Sequence, residues 1–554
     1  MKTFDVNPDL ETGLRIDSKR RSDLESWLTM EINDALSARH WQEEEWRESM
    51  RRYAGEPPRD AFRLLTVEEM NPVEVPLAAI AHDAIYAQEI SLIFGVSPLL
   101  TTKSNNKRWI EHNKAFQRFL NYMAVNLLDI REASEEMLLD KNKLGTGILY
   151  VPWTQQVKKT KTRRILTQGP KARNIPIEDF LVPGGARTNL NEETWVAIRF
   201  NFTEAEFDAR AKRGRWRTDD VLPTANVSQT RQHRETLGQT RESSKKQGKM
   251  FEIWMVWAYF DIDNDGEEED LFLVFDKTSH KILKEVYNPF DSRPFTVARF
   301  MRRGGLFYGI GIPEVLKVQQ EIASNTMNFW LNNAYLANAR AWLADPSTGL
   351  EGSMSLWSGR VIQSSNPQGL QPLVLADTYQ SLPQLFAINM SLSERRTGVN
   401  DLTQPRPSQV LGSRTPGITA LSLLQQSSQR FTPSFDSGRF GIARGVKEGA
   451  FRFQERILAG DVDVEDFIRE VMTEEPGNLV IELLRNERFD DAIAVEMTAS
   501  SASQNKESER QNAIMLAQLL GTYYSRVIEL SQIISSPQVP PPVKKVAERV
   551  ANGA

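Results

Sequence analysis

Apolar residues spaced three and four apart dominate the first third of the chain. Between Ser18 and Tyr53 they fall at Leu24, Trp27, Leu28, Ile32 and Leu36, which predicts a helix with a charged outer face. Gly55-Glu56-Pro57-Pro58 ends it. A second helix is predicted over 77–94. A third is predicted over 106–143, where Trp109, Phe116, Leu120, Met123, Leu127, Ile130 and Leu138 keep helical spacing. Gly145-Thr146-Gly147 breaks the period, and Ile148-Leu149-Tyr150-Val151 reads as a buried strand. Residues 218–249 are polar and aperiodic, which predicts a long loop. Strands return at 251–262 and 271–275, joined by the turn Asp263-Asn264-Asp265-Gly266.

The second half reads as rods separated by irregular segments. A helix is predicted over 313–343, opened by Pro313. Its roughly thirty residues would span ~45 Å. Residues 349–375 are rich in Gly and Ser and carry strand-like pieces at 360–363 and 370–375, and another helix is predicted over 378–396. Residues 397–417 hold Pro405, Pro407 and Pro416 and no regular pattern. A helical stretch follows over 418–458, in which Pro433 is expected to introduce a bend and Gly438, Gly441 and Gly445 to weaken the helix. Ala513, Ala517, Leu520, Tyr524, Val527 and Ile534 mark an amphipathic helix over 505–534, closed by Pro537 and Pro540-Pro541-Pro542. No repeat of fixed period occurs. The predicted class is α+β, mostly α.

Length changes this picture first, because 554 residues exceed one core and imply several domains. Charged residues at 25% and apolar ones at 40% are ordinary for a folded chain. The 68 basic and 73 acidic side chains leave a net charge of −5, without the basic excess of a protein that grips nucleic acid tightly. Any contact with nucleic acid is therefore expected to be weak. Cysteine is absent, which excludes disulfides, thiolate catalysis and cysteine-ligated zinc. No signal-type N-terminus and no run of 18 apolar residues are seen, so no membrane-spanning helix is expected.

Catalytic chemistry finds no foothold. Gly248-Lys249 is followed by Met250, so the phosphate-cradling loop of nucleotide-driven motors fails. The five histidines are too far apart for a zinc pair, and no Gly-x-Ser-x-Gly elbow occurs. Asp261, Asp263, Asp265 and Gly266 match the start of a calcium loop, but its twelfth position is Phe272 rather than a bidentate Glu. A hairpin turn and a calcium-dependent enzyme both remain open there. The run 157–173 holds seven basic residues and no acidic one, and it reads either as an exposed hairpin or as a contact with DNA or a partner. No cofactor is expected.

The order of elements resembles the portal proteins of tailed bacteriophages, particularly short-tailed ones. The resemblance rests on Lys143-Leu144-Gly145-Thr146-Gly147 with Val151-Pro152-Trp153, and on Ile175-Pro176-Ile177-Glu178-Asp179-Phe180 before Pro183-Gly184. It rests also on the Asp261–Asp265 turn and on Tyr308-Gly309-Ile310-Gly311-Ile312-Pro313-Glu314 leading into Gln319-Gln320-Glu321 and Asn325. It covers roughly residues 20–530. The resemblance implies a wing over 1–312, a first stem helix over 313–343, a small α/β clip over 344–376 and a second stem helix over 377–397. A tunnel loop over 398–417 follows, then a kinked helix with the rest of the wing over 418–500, and a helical crown with a short tail over 501–554. The stretch after Ile534 is too short for the long helical barrel that some relatives carry.

The resemblance further implies a closed homo-oligomeric ring, typically of twelve copies, at one vertex of the virion capsid. Double-stranded DNA would be packaged and ejected through it without sequence specificity, after assembly in the host cytoplasm. The clip, with Trp357 and Arg360, would dock the terminase large subunit and then tail or adaptor proteins, while the wing meets capsid and scaffolding proteins. The ring itself would catalyse nothing. Asn325, Asn328 and Asn332 form an uncharged stripe assigned to the channel or a subunit seam. Arg395, Arg396, Arg406 and Arg414 give 394–417 a net +2 that would face phosphate. Arg430, Arg439 and Arg444 belong to a net +3 over 418–458, which either faces DNA or pairs with acids such as Asp461 and Glu465. A different virion structural protein, a head–tail adaptor or shell component, is the alternative.

Overall fold

The computed structural model describes residues 2–4, 11–14, 16–58, 72–104, 109–159, 164–186, 189–219, 221–224, 234, 249–338, 341–345, 366, 368, 370–373, 381–397, 432–486 and 493–498. The predicted loop over 218–249, the tunnel loop over 398–417 and the helix over 505–534 lie mostly or wholly outside them.

Helix Ser18–Ala54 follows its pattern closely. Leu24, Leu28, Ile32 and Ala35 share its buried side. Gly55 ends it in the left-handed region at φ 70°, its N–H returning to the carbonyls of Arg51 and Arg52. The buried side lies on a five-stranded antiparallel sheet ordered Lys281–Tyr287, Glu269–Asp276, Met250–Phe260, Trp195–Thr203, Phe180–Leu181. Alternate residues face opposite sides of a strand, so Trp254 and Val256 pack on the helix while Ile253, Met255 and Trp257 enter a second core with Tyr150 and Phe295.

The predicted third helix is two, Ile110–Asn126 and Ile130–Leu144, broken at 127–129 where Asp129 takes φ 50°. Both halves bury the same kind of face in one core, with Phe116, Leu120, Met123, Ile130, Met137 and Leu138, so apolar spacing continues across the break. The strand Thr146–Tyr150 then runs at the centre of a three-stranded sheet, between Phe295–Arg299 and Arg173–Ile175.

Helix Leu77–Phe94 is long and apolar enough to cross a membrane by length and composition alone. It carries buried His82 and Glu89, and Glu89 is fully enclosed with Lys141. Such wiring is that of a core helix, whose polar groups find partners inside the protein.

The long helix starts as predicted but is shorter. After the single turn Ile312–Val315, it runs Lys317–Asn338, about 33 Å by its 22 residues. Ala341–Ala344 leaves the helix to pair with Leu370–Leu373 as an antiparallel ladder, which replaces the last predicted turn. Leu382–Thr397 is the second rod, and it bonds back to the first, Asn389 donating to the Gln319 carbonyl at 2.7 Å. Thr432–Leu458 is a largely buried helix with Pro433 in its first turn, where a missing N–H costs nothing. The segment before it, 418–431, lies outside the described residues. Helices Val462–Met472 and Glu474–Leu484 and the strand Ile493–Met497 close this body, the strand pairing with Leu100–Ser104. The fold is α+β and mostly helical.

Candidate functional site

Three of the segments that carry the resemblance meet in space. Gly145 sits at φ 90°, and the Gly309 backbone passes so close that a Cβ on Gly309 would lie 2.5 Å from the Gly145 carbonyl oxygen. The Gly309 N–H donates to Thr146 Oγ1 at 2.8 Å, and the Phe300 N–H donates to the Gly145 carbonyl at 3.0 Å. Tyr308 reaches the Phe180 carbonyl at 3.4 Å. Arg39 donates to the carbonyls of Phe180 and Glu178 at 2.6 and 3.0 Å, and Arg199 pairs with Asp179 at 2.8 Å. Segments more than a hundred residues apart thus form one rigid seat, from which Ile312 launches the long helix. Trp153 of the first signature stacks edge-on against Phe453, with the Arg456 guanidinium over its ring.

The helix pair leaves two apolar stripes uncovered. On Lys317–Asn338, Val318, Ile322 and Phe329, spaced four and seven apart, share one face, and Leu331 and Tyr335 are exposed away from it. On Leu382–Thr397 the stripe is Leu385, Ile388 and Leu392, spaced three and four apart. Phe329 is 51% exposed and Ile388 59%.

The asparagine stripe is partly spent within the chain. Asn328 donates to the Val73 carbonyl at 3.0 Å and accepts the Val73 N–H at 2.8 Å, completing an otherwise unladdered backbone group. Asn332 is buried and Asn325 is half-buried.

Arg395 and Arg396 end the second rod with exposed side chains, Arg396 donating to Gln319 Oε1 at 3.1 Å. Arg406, Arg414, Arg430, Trp357 and Arg360 lie outside the described residues. Arg439 pairs with Asp436 at 3.0 Å. Arg444 stands exposed between Phe440 and Phe451, alongside Lys447, around a cavity of about 430 Å³. The rest of that helix's charge points inward. Arg452, fully buried, lies between Glu448 at 3.3 Å and Glu455 at 2.9 Å, its guanidinium 4.2 Å from the Phe290 ring. Burial pushes the Glu455 carboxyl up to about 8, against the pull of Arg452. Arg456 reaches Asp461 at 3.5 Å, so pairing with acids, one of the two alternatives, holds for this side chain.

The glycines of this helix serve close packing. A Cβ on Gly445 would lie 2.5 Å from Leu149 Cδ2, and one on Gly441 3.2 Å from Ala298 Cβ.

Sequence reasoning missed two buried knots. Lys141 bonds Glu89 and both the hydroxyl and the carbonyl of Ser434, which pins the first turn of Thr432–Leu458. Burial holds the Lys141 ammonium below its usual range. Arg234 pairs with Asp140 and Glu178, each at 2.8 Å, next to Asn174. Only the Glu178 of the 175–180 signature hinted at the second.

The Asp261–Asp265 turn is a hairpin turn held by its own backbone. Asp261 accepts the N–H groups of Asn264 and Gly266 at 2.5 and 3.1 Å, and Asp265 accepts that of Glu267 at 2.8 Å. Carboxylate oxygens of Asp261, Asp263 and Asp265 lie within 4.8 Å of one another, with Arg20 3.9 Å from Asp261. Phe272, at the twelfth position, packs its ring at a tilt against Trp257, centroids 5.0 Å apart. The basic run 157–173 covers the end of Trp153–Lys159 and all of Arg164–Pro170, the two strands of one hairpin, with Lys2–Phe4 added at the edge.

No curated protein matches the chain. A family model does match, over residues 101–432, and it is that of the phage SU10 portal protein.

Proposed function

The chain belongs to the phage SU10 portal protein family, whose model covers more than half of it, and from that premise we propose that copies of it close into a ring at one capsid vertex through which double-stranded DNA passes. The observation that carries this reading is the pair of uncovered apolar stripes on the two rods. A chain that fully buries Trp46, Trp195, Trp254 and Trp257 leaves Phe329 and Ile388 more than half exposed. Uncovered apolar surface of that kind fits a neighbouring copy. A ring needs a heterologous contact, in which one face of each copy meets a different face of the next. Two rods with separate stripes supply two such faces.

In this reading residues 1–312 and 418–500 form the wing, 313–343 and 377–397 the stem, 344–376 the clip, 398–417 the tunnel loop and 501–554 the crown. The wing meets capsid and scaffold, and the clip takes the terminase large subunit and later the tail proteins. The clip's base would be the ladder between Ala341–Ala344 and Leu370–Leu373. Work comes from the terminase, and the ring acts as a structural conduit. Arg395 and Arg396 deliver positive charge at the root of a loop that adds Arg406 and Arg414. Phosphate contacts of this sort ignore sequence, and few of them per copy leave DNA free to slide. Asn328 is committed to Val73, so channel contact on the first rod falls to its exposed side chains.

Native mass spectrometry of the purified chain tests the ring: a closed assembly of many copies is expected, and a stable monomer at all salt concentrations refutes it. Replacing Arg395, Arg396, Arg406 and Arg414 with Gln is expected to leave the ring intact and impair DNA packaging or retention. Unchanged packaging by an intact ring removes the loop from the mechanism.

A further inference from the structure

A cavity of about 340 Å³ lies where the second rod ends and the Thr432–Leu458 helix begins. Three arginines line it, Arg299, Arg302 and Arg396, and among the described residues no acidic side chain does. Arg299 is the unusual member. It is 4% exposed, its Nε donates to the Phe307 carbonyl at 2.6 Å, and its plane lies over the Phe307 ring. Its Nη2 has no hydrogen-bond partner. Among the described residues no carboxylate pairs with Arg299 or Arg302, although buried guanidinium groups ordinarily find one.

Neighbouring charges are already committed elsewhere. Asp436 pairs with Arg439, and Glu89 with Lys141. Two hydroxyls add donors to the same wall. Ser434 Oγ accepts from Lys141 at 3.0 Å and Ser437 Oγ accepts the Arg299 N–H at 2.9 Å, so each retains its own O–H to give. Thr397 and apolar groups such as Ile85, Ile312, Val315 and Pro433 complete the described lining.

We propose that this cavity is a binding site for a phosphate-type oxyanion, held by Arg299, Arg302 and Arg396 with the hydroxyls of Ser434 and Ser437. Guanidinium groups match tetrahedral oxyanions with charge-assisted bonds, and the buried, unpartnered Nη2 of Arg299 is the donor such a ligand completes. The volume exceeds what one bare ion needs and the walls are partly apolar, so the site accommodates a phosphate carried on an organic group. Burial and the like charge of Arg302 already push the Arg299 guanidinium down to about 10, a penalty that an anion between them relieves. The site stands on the fold of one chain and does not depend on ring closure.

Inorganic phosphate titrated into the full-length chain by calorimetry tests the proposal, with thermal melts alongside. Wild type is expected to bind and to gain melting temperature. Arg302→Gln, at an exposed position, is expected to keep its fold and lose affinity at least tenfold. Arg302 is chosen over Arg396 because Arg396 also belongs to the proposed DNA-contacting set. Arg131→Gln, on a different surface, should bind like wild type. Three results overturn the site: no binding by wild type, equal binding by Arg302→Gln, or an equal effect of chloride at matched ionic strength. A short DNA duplex then identifies the source. Displacement of phosphate by the duplex assigns the site to backbone phosphate, and binding without displacement assigns it to a free phosphate compound.

Discussion

Lys141 and Glu89 are both wholly buried, and their ion pair also holds the first turn of a helix that starts far along the chain. Breaking a buried pair strands a charge, which costs ~3–5 kcal/mol, whereas replacing both partners with apolar groups can be close to neutral. Lys141→Met is therefore expected to lose about 3–5 kcal/mol of stability in denaturant titrations. Adding Glu89→Leu to that variant should recover much of the loss, and additive losses would refute the pairing. Glu455 gives a pH signature. Its carboxyl is raised to about 8, above an ordinary value of 4.5, so between those values the folded state holds a proton that the unfolded state has released. Its contribution is complete below pH 4.5 and is lost as pH rises through 8. Glu455→Gln, which keeps an oxygen facing Arg452 and able to accept the Asp291 N–H, should flatten the fall in melting temperature from pH 5 to 9. A fall as steep as wild type would show that Glu455 is ionised throughout. Part of this was legible in the sequence, since Glu448, Arg452 and Glu455 stand four and three apart. Their burial was not, because charge runs on helices usually face water and nothing local shows that strand and helix close over them.

Helices and turns were read well wherever local chemistry ends them. Gly55 and Gly145 stop their helices in the left-handed region, and the Asp-rich turn closes its hairpin on its own carboxylates. The break at 127–129 was illegible because Leu128 is itself core, so the apolar period runs through it. The end of the first rod was missed for a related reason. Ala341-Trp342-Leu343-Ala344 suits a helix as well as a strand, and only its partner Leu370–Leu373 decides. The glycines of Thr432–Leu458 looked like flexibility and are contact surface. Gly445→Ala, driven against Leu149, is expected to cost ~1–3 kcal/mol by overpacking. Gly441→Ala meets a looser neighbour and gains ~1 kcal/mol of helix propensity, so it should be near neutral. Equal effects of the two in thermal melts would return these glycines to a flexibility role.

Assembly is invisible to helical periodicity, because a stripe that packs on a neighbouring copy has the same spacing as one that packs on the chain's own core. The structure separates the two by what remains uncovered. Leu24 and Ile32 are enclosed, while Phe329 and Ile388 are not. The distinction yields opposite expectations for the same kind of substitution. An aspartate in place of an enclosed leucine leaves a charge in a dry site and unfolds the chain. An aspartate at Phe329 or Ile388 meets water in the single chain and should leave its melting temperature within a few degrees of wild type. In a ring the same aspartate is desolvated once per seam, and every seam carries it. Phe329→Asp and Ile388→Asp are therefore each expected to give folded, unassembled chains in native mass spectrometry and sedimentation. If both variants still close into rings, the rods do not form the seam. If both unfold, the exposed stripes are core after all.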